Sequence, residues 1–389
     1  MLPHERAPPP RSGDADLAQW HDALPLAAVR WQSRGVNDLA QLVDAERLTA
    51  WLDANIPELG SGPLEMAIVH GGTSNVVLSV QRGNAPMVLR RPPAVAPPNS
   101  ERTVLREARV LSALNGTAVP HPRCYGSCAD SAVIGAPFYV MEFVEGWSAE
   151  LREGRIHHDP PFDRAPDEYG IGFAVVDALV ALANVDYEAI GLGDFGRAEK
   201  YLERQVDRWG RQLASYRELY DYPGRELPGY DATEQWLRDN VPADFVAGLI
   251  HGDVGTPNML FAPGAPARVR ALIDWELSTI GDPLIDLAWF CKGLRDEREP
   301  DSVPATALYD APNFPTRQEL ARHYAAGTGR DITDFDYYLV LAMFKSGCIM
   351  EYKVAQAAAG HLPRATGDFF AGFVLGNFAD AAALIQRWH

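Results

Sequence analysis

Two short stretches carry the side chains best suited to chemistry. One is His251-Gly252-Asp253-Val254-Gly255-Thr256-Pro257-Asn258, and the other is Ile273-Asp274-Trp275-Glu276. Asp253 and Asn258 put a carboxylate and an amide oxygen on one tight loop, shaped by Gly255 and Pro257. Asp274, 16 residues beyond Asn258 and directly after a short apolar run, adds a second carboxylate. Transfer of a phosphoryl group needs such a set: one carboxylate to orient a hydroxyl and accept its proton, and two oxygen ligands for Mg²⁺. Either half alone reads as turn capping by Asp and Asn. The two halves in this order read as a site for phosphoryl transfer.

The elements around them fall into two textures. Residues 36–56 have helical periodicity, with Leu39, Leu42, Val43, Leu48, Trp51 and Leu52 on one stripe. Leu64–Val69, Val76–Gln81 and Met87–Arg91 then read as an antiparallel meander, and Ala132–Ile134 and Phe138–Phe143 as further strands. Ser100–Leu114 reads as a helix capped by Ser100 and stopped by Asn115-Gly116. The turn Gly71-Gly72-Thr73-Ser74-Asn75, between two strands, can offer backbone N–H groups to phosphates. Beyond Trp147 the pattern is helical, interrupted by Leu249–His251, Met259–Phe261 and Val269–Asp274. These strands flank the two reactive stretches. The expected organisation is an N-terminal extension over 1–35, partly disordered; a small, nucleotide-binding α+β lobe over 36–145; and a larger helical lobe over 146–389 that carries the catalytic loop and the acceptor site.

Composition narrows the function. A 389-residue chain with 47% hydrophobic and 22% charged residues buries a core without staples. Four cysteines, two of them spaced as Cys124 and Cys128, suit a reducing compartment and core packing better than zinc, so a cytoplasmic location is expected. A net charge of −17 with no basic stripe argues against a nucleic-acid partner. The best apolar run, Tyr337 to Met350, is broken by Lys345, so a buried helix and no membrane partner are expected. There is no GxxxxGK[ST]. Gly191-Leu192-Gly193-Asp194-Phe195-Gly196 matches a dinucleotide fingerprint by letter but follows a helix, so it reads as a loop.

The stretches GGTSNVVLSV, MVLRRPP, VIGAPFYVMEFVEG, HGDVGTPNMLF and IDWELSTIGDPLIDLAW together resemble the aminoglycoside phosphotransferase and choline kinase-like family, over about residues 36 to 389. Within it, the likeness is greatest to the kinase-like domain fused to some acyl-CoA dehydrogenases. The resemblance implies a two-lobed protein-kinase-like fold, with a small antiparallel-sheet lobe and a larger, mostly helical one. It makes Asp253 the catalytic base, Asn258 and Asp274 the metal ligands, and His251 the brace of the catalytic loop. Asp282 and Asp286 become ties within the helical lobe. Arg90 takes the place of the lysine that grips phosphates in protein kinases, and it offers a permanently charged fork. Strand alternation sends Arg91 to the opposite face, and a one-residue slip exchanges the two. Glu107 is the expected carboxylate partner, with Glu101 in reserve. The segment Phe138–Gly146 resembles a hinge, where a nucleotide base meets the backbone of Glu142 and Val144.

The leading expectation is therefore a phosphotransferase that uses Mg²⁺ and ATP, with GTP as the other possible donor, on a hydroxyl of a small-molecule acceptor. The acceptor is either a hydroxyacyl compound, free or as a CoA thioester, or an aminoglycoside. An aminoglycoside needs an acidic wall, to which Asp296–Asp301 could contribute if it is more than a solvated loop. The missing lysine motivates the alternative, a nucleotide-binding pseudokinase acting as a regulatory or partner-binding module. A protein kinase is disfavoured, because no D-F-G or A-P-E follows.

Overall fold

The computed structural model describes residues 39 and 41–388, apart from 72–74, 95–98, 153–154, 164–169, 299–303 and 308–313. The extension over 1–35 and the trio Gly72, Thr73 and Ser74 lie outside the described residues.

The small lobe is built on alternation. Helix α1 (Ala45–Asn55) precedes β1 (Leu64–Gly71), β2 (Val76–Arg82) and β3 (Ala85–Arg91). Helix α2 (Ser100–Leu114), β4 (Cys124–Cys128) and β5 (Phe138–Glu142) follow. The strands form one sheet in the order β1-β2-β3-β5-β4, and every neighbouring pair is antiparallel. Met87 and Leu89 face α1 and its buried Leu48 and Leu52, with Leu78, Phe138 and Val140 in the same cluster. Val88 faces the other way and joins Val104, Ala108 and Leu111 of α2. This pleat decides the fate of the two arginines: Arg90 shares the α2 face with Val88, whereas Arg91 shares the α1 face.

Three local expectations change. The helix expected over 36–56 starts afresh at Ala45, because the Asp44 side chain accepts the Arg47 amide at 3.0 Å and caps it there. Asn99 with φ 69°, not Ser100, holds the cap position of α2. Residues 132–134 lie in a turn, and β4 pairs with β5 instead. Its buried positions are Cys124 and Cys128, both free thiols, so its sequence shows little apolar alternation.

The lobes meet at Gly146 and Trp147. A Cβ on Gly146 would lie 2.7 Å from the Phe261 carbonyl, which accounts for glycine there. The Trp147 ring stacks on Phe162 and Phe261 at 5.2 and 4.8 Å. A hairpin of β6 (Glu150–Arg152) and β7 (Arg155–His157) follows, then α3 (Ile171–Ala183), α4 (Glu203–Tyr220) and α5 (Tyr230–Asp239). Two short ribbons hold the reactive stretches. β8 (Gly248–Ile250) pairs with β11 (Thr279–Gly281), and β9 (Met259–Phe261) pairs with β10 (Val269–Leu272). The remaining helices are α6 (Leu284–Cys291), α7 (Arg317–Thr328), α8 (Phe335–Ala358) and α9 (Arg364–Arg387).

Helix α8 is the axis of the large lobe, buried from Tyr337 to Cys348 and packed on α4, α6 and α9. Among the described residues one helix, α9, is long and apolar enough to cross a membrane by length and composition. It lies along α8 and buries Val374, Phe378, Ala381 and Leu384.

Candidate active site

The loop from His251 to Asn258 is held by side chains that take up its buried backbone groups. Asp286, on the first turn of α6, accepts the His251 amide at 2.6 Å and the Gly252 amide at 2.9 Å. Burial pushes the Asp286 carboxyl above its ordinary range, and His251 and the two amides oppose that shift. Gly252 has φ +91°, and a Cβ there would meet the Leu277 carbonyl at 2.6 Å, so the turn admits glycine alone. Asp286→Ala leaves both amides buried without an acceptor. It is expected to cost about 2–5 kcal/mol in urea unfolding.

His251 spans the gap to the second stretch. Its Nε2 lies 2.9 Å from the Ile273 carbonyl and its Nδ1 3.3 Å from the Asp253 amide, which fixes the ring as the Nε2–H tautomer. The ring also packs on Trp275 at 4.7 Å. The Ile273 amide in turn donates to the Asn258 carbonyl at 3.0 Å. This one bond sets Asn258 and Asp274 side by side.

Asp253 is pinned at both oxygens. Its Oδ1 accepts Trp289 Nε1 at 3.2 Å, and its Oδ2 accepts Asn258 Nδ2 at 2.9 Å. With its nitrogen turned to Asp253, Asn258 has its Oδ1 left for a cation. Asp274 sits at φ 66°, left-handed backbone that a non-glycine residue holds only when its surroundings impose it. Its Oδ1 accepts Arg90 at 2.8 Å.

Arg90 reaches from the small lobe to the large one. Its Nε lies 3.0 Å from Glu107 and its guanidinium 2.8 Å from Asp274. Burial works against the charge, but Tyr139, Glu107 and Asp274 outweigh it, so the guanidinium stays protonated. Burial pushes the Glu107 carboxyl up to about 7, against the pull of Arg90 and of Tyr139, whose hydroxyl donates at 2.9 Å. Arg91 is on the far face, where its guanidinium donates to the Leu42 and Ile134 carbonyls. Glu101 is exposed at the start of α2, so Glu107 is the carboxylate that meets the arginine. Asn75 is buried and its Nδ2 lies 3.5 Å from Glu107.

The Glu142 amide donates to the Arg123 carbonyl at 2.8 Å, because β5 pairs with the segment leading into β4, so a base would meet Glu142 through its carbonyl. Val144 is half-buried just beyond. One expectation needs correction. Asp296 is no part of an acidic wall: it is buried, with Arg298 and Arg317 at 2.7 and 3.1 Å. Burial raises its carboxyl, but the Arg298 hydrogen bonds and Arg317 overcome this and take it down to about 2.

The structure also assembles groups that sequence reasoning left without a role. Glu276 returns on a 3-10 turn beside Asp274, and burial, with Asp274 next, pushes its carboxyl up to about 7. Carboxylate oxygens of Glu107, Asp274 and Glu276 lie within 4.8 Å of one another. Together with Asn258 Oδ1 this is an all-oxygen donor set, the kind that suits Mg²⁺ rather than zinc or copper. Lys345, which interrupts the apolar run of α8, turns out to face the catalytic loop, and its Nζ donates to the Gly252 carbonyl at 2.6 Å. A lysine within an otherwise buried helix was the signal for it.

A sequence profile of the phosphotransferase enzyme family matches residues 65–323. The Arabidopsis thaliana probable acyl-CoA dehydrogenase IBR3 is 33% identical over 319 residues, covering 76% of this chain and 37% of that protein. The chain thus spans little more than a third of that relative's length. A Ralstonia eutropha chain solved as a candidate aminoglycoside phosphotransferase superposes with a TM-score of 0.70 at 28% identity, covering 87% of this chain and 98% of that one. The GDP complex of aminoglycoside 2'-phosphotransferase-IIIa shares the fold, with a TM-score of 0.54 at 14% identity over 87% of this chain and 99% of that one. With its protein-kinase-like architecture and this profile match, the chain belongs to the phosphotransferase enzyme family.

Proposed function

We propose that this protein transfers the γ-phosphate of ATP to a hydroxyl of a small molecule, with Mg²⁺. The observation that carries the reading is the Ile273–Asn258 backbone bond, which sets Asn258 and Asp274 together within reach of Asp253. Asn258 Oδ1, Asp274 and Glu276 would hold Mg²⁺, which supplies charge neutralisation on the phosphates. Arg90 would give the α- and β-phosphates a fork that stays charged. Asp253, fixed by Trp289 and Asn258, orients the acceptor hydroxyl and takes its proton. The nucleotide seen in the distant aminoglycoside enzyme is GDP, so GTP is the competing donor. One relative is named for acyl-CoA and another for an aminoglycoside, so a hydroxyacyl compound and an aminoglycoside are the two acceptor classes to test.

The test is ADP formation from Mg²⁺-ATP, and GDP formation from Mg²⁺-GTP, with panels of hydroxy acids, hydroxyacyl-CoAs and aminoglycosides. Acceptor-dependent release from one donor supports the reading. Nucleotide binding with no release for any acceptor supports the second reading, a nucleotide-binding regulatory module. The Arg90–Asp274 ion pair favours that alternative, since an arginine already occupies a metal ligand.

A further inference from the structure

The far side of Asp253 is cationic, in a chain whose net charge is −17. Its Oδ2 looks toward Asn258 and the proposed metal, and its Oδ1 toward Trp289. The Trp289 ring has an ammonium on it twice over: Lys292 Nζ lies 3.8 Å from the centroid and Lys345 Nζ 4.2 Å. Lys345 is 6% exposed, Lys292 is half-buried, and Arg208 stands at the mouth over Trp209 at 4.5 Å. Lys345, Arg208 and Trp209 line a cavity of about 20 Å³, room for one water, beside Gly252.

Among the described residues, no carboxylate lies within 4.0 Å of either lysine. Among the described residues, Lys345 donates to the Gly252 carbonyl and Lys292 to the Trp289 carbonyl. The acids whose fields reach Lys345 are Asp253 and Asp286, and Asp286 is already committed to two amides. Burial without a close counter-ion pulls Lys345 down to about 8 and Lys292 to about 7. Burying a cation is costly unless an anion joins it.

We propose that the acceptor carries an anionic group, a carboxylate or a phosphate, which docks at Lys345 and Lys292 while its hydroxyl faces Asp253. This rests on the phosphotransfer reading and narrows it: cationic acceptors such as aminoglycosides are repelled. The anion is assigned to the acceptor and not to the nucleotide because the lysines lie over Trp289, which bonds Asp253 Oδ1, whereas Asn258 bonds Oδ2.

Trp289 and Trp209 report on the site, so tryptophan fluorescence of the full chain is titrated with lactate, γ-hydroxybutyrate, glycerol phosphate, γ-hydroxybutyrate methyl ester and kanamycin. Each titration is run with and without Mg²⁺ and a non-hydrolysable ATP analogue. At least one anion is expected to saturate, with the ester and kanamycin binding at least about tenfold more weakly. Lys345→Met and the half-buried Lys292→Met should each weaken the anion about tenfold or more and leave the ester unchanged, with Lys345→Arg restoring it. Saturation by the carboxylates or by glycerol phosphate alone tells which anion the site takes. Ester or kanamycin binding as tight as the acid, no saturable anion, or unchanged anion affinity in both methionine variants overturns the proposal. A loss confined to turnover, with anion binding intact, overturns it too, by placing the lysines on the transferred phosphoryl group. Anion binding without any nucleotide binding by the wild type sinks the phosphotransfer reading and leaves the anion site standing.

Discussion

Asp253→Asn is expected to lower turnover by about two to four orders of magnitude while Mg²⁺-ATP still binds. The substitution keeps the shape and can still take the Trp289 hydrogen bond, but it removes the group that accepts the hydroxyl proton. Asn258 Nδ2 also donates to the Asp253 main-chain carbonyl at 2.9 Å, so the loop retains its geometry. Steady-state kinetics with parallel nucleotide titrations check this. The fall should lie in kcat, with nucleotide affinity within a few-fold of wild type. Equal turnover in the variant would remove Asp253 from the chemistry.

Arg90→Met should be the most damaging single change to stability around the site, costing about 3–5 kcal/mol at pH 8. It leaves Glu107, 1% exposed, without its cation, and Asp274 and Glu276 beside it. The variant should recover part of the loss as the pH falls. Glu107 and Glu276 have carboxyls raised to about 7, so the folded state binds more protons than the unfolded chain, whose glutamates titrate near 4.5. Stability from these groups therefore falls as pH rises through that window, and the missing arginine steepens the fall. Urea unfolding at pH 6 and pH 8 reads the effect. A variant that loses more stability at pH 6 than at pH 8 would contradict it.

The parts of the fold that could be read in advance are those where local signals agree with tertiary ones. Alternation in Met87–Arg91 separates Arg90 from Arg91, and the structure sends them to opposite faces. The helical stripe Val104, Ala108, Leu111 places Glu107 inward, and it is buried there. The apolar periodicity of Phe335–Ala358 marks the central helix. Signals failed where a partner far in sequence decides. β4 exists because β5 pairs with it, and its Cys124-Tyr125-Gly126-Ser127-Cys128 has little strand character of its own. The commitment of the Glu142 amide to Arg123 follows from that pairing and was invisible without it.

The same division runs through the site. Asp253, Asn258 and Asp274 stand out because their spacing is short and their types are few. Glu276 is adjacent to them in sequence, but its role comes from a 3-10 turn that folds its carboxylate back toward Asp274 and Glu107. Trp289 reaches Asp253 from α6, 36 residues away, while Lys292, just past α6, and Lys345, on α8, lie over the Trp289 ring, and only packing brings them there. Lys345 registered in the sequence as an interruption of an apolar run. Its contact with the Gly252 carbonyl gives that interruption a reason.

We propose Asn258, Asp274 and Arg90 as the site for a metal–nucleotide complex. The most direct test is thermal unfolding of wild type and Asp274→Asn, each with Mg²⁺-ATP, Mg²⁺-GTP or Mg²⁺ alone. A nucleotide at 100 times its Kd adds about 2.7 kcal/mol to the folded state, a shift of several degrees. The wild type is expected to show that shift with one of the two nucleotides, dependent on Mg²⁺ and lost in Asp274→Asn. No shift with either nucleotide, or a shift that Asp274→Asn leaves intact, would contradict it.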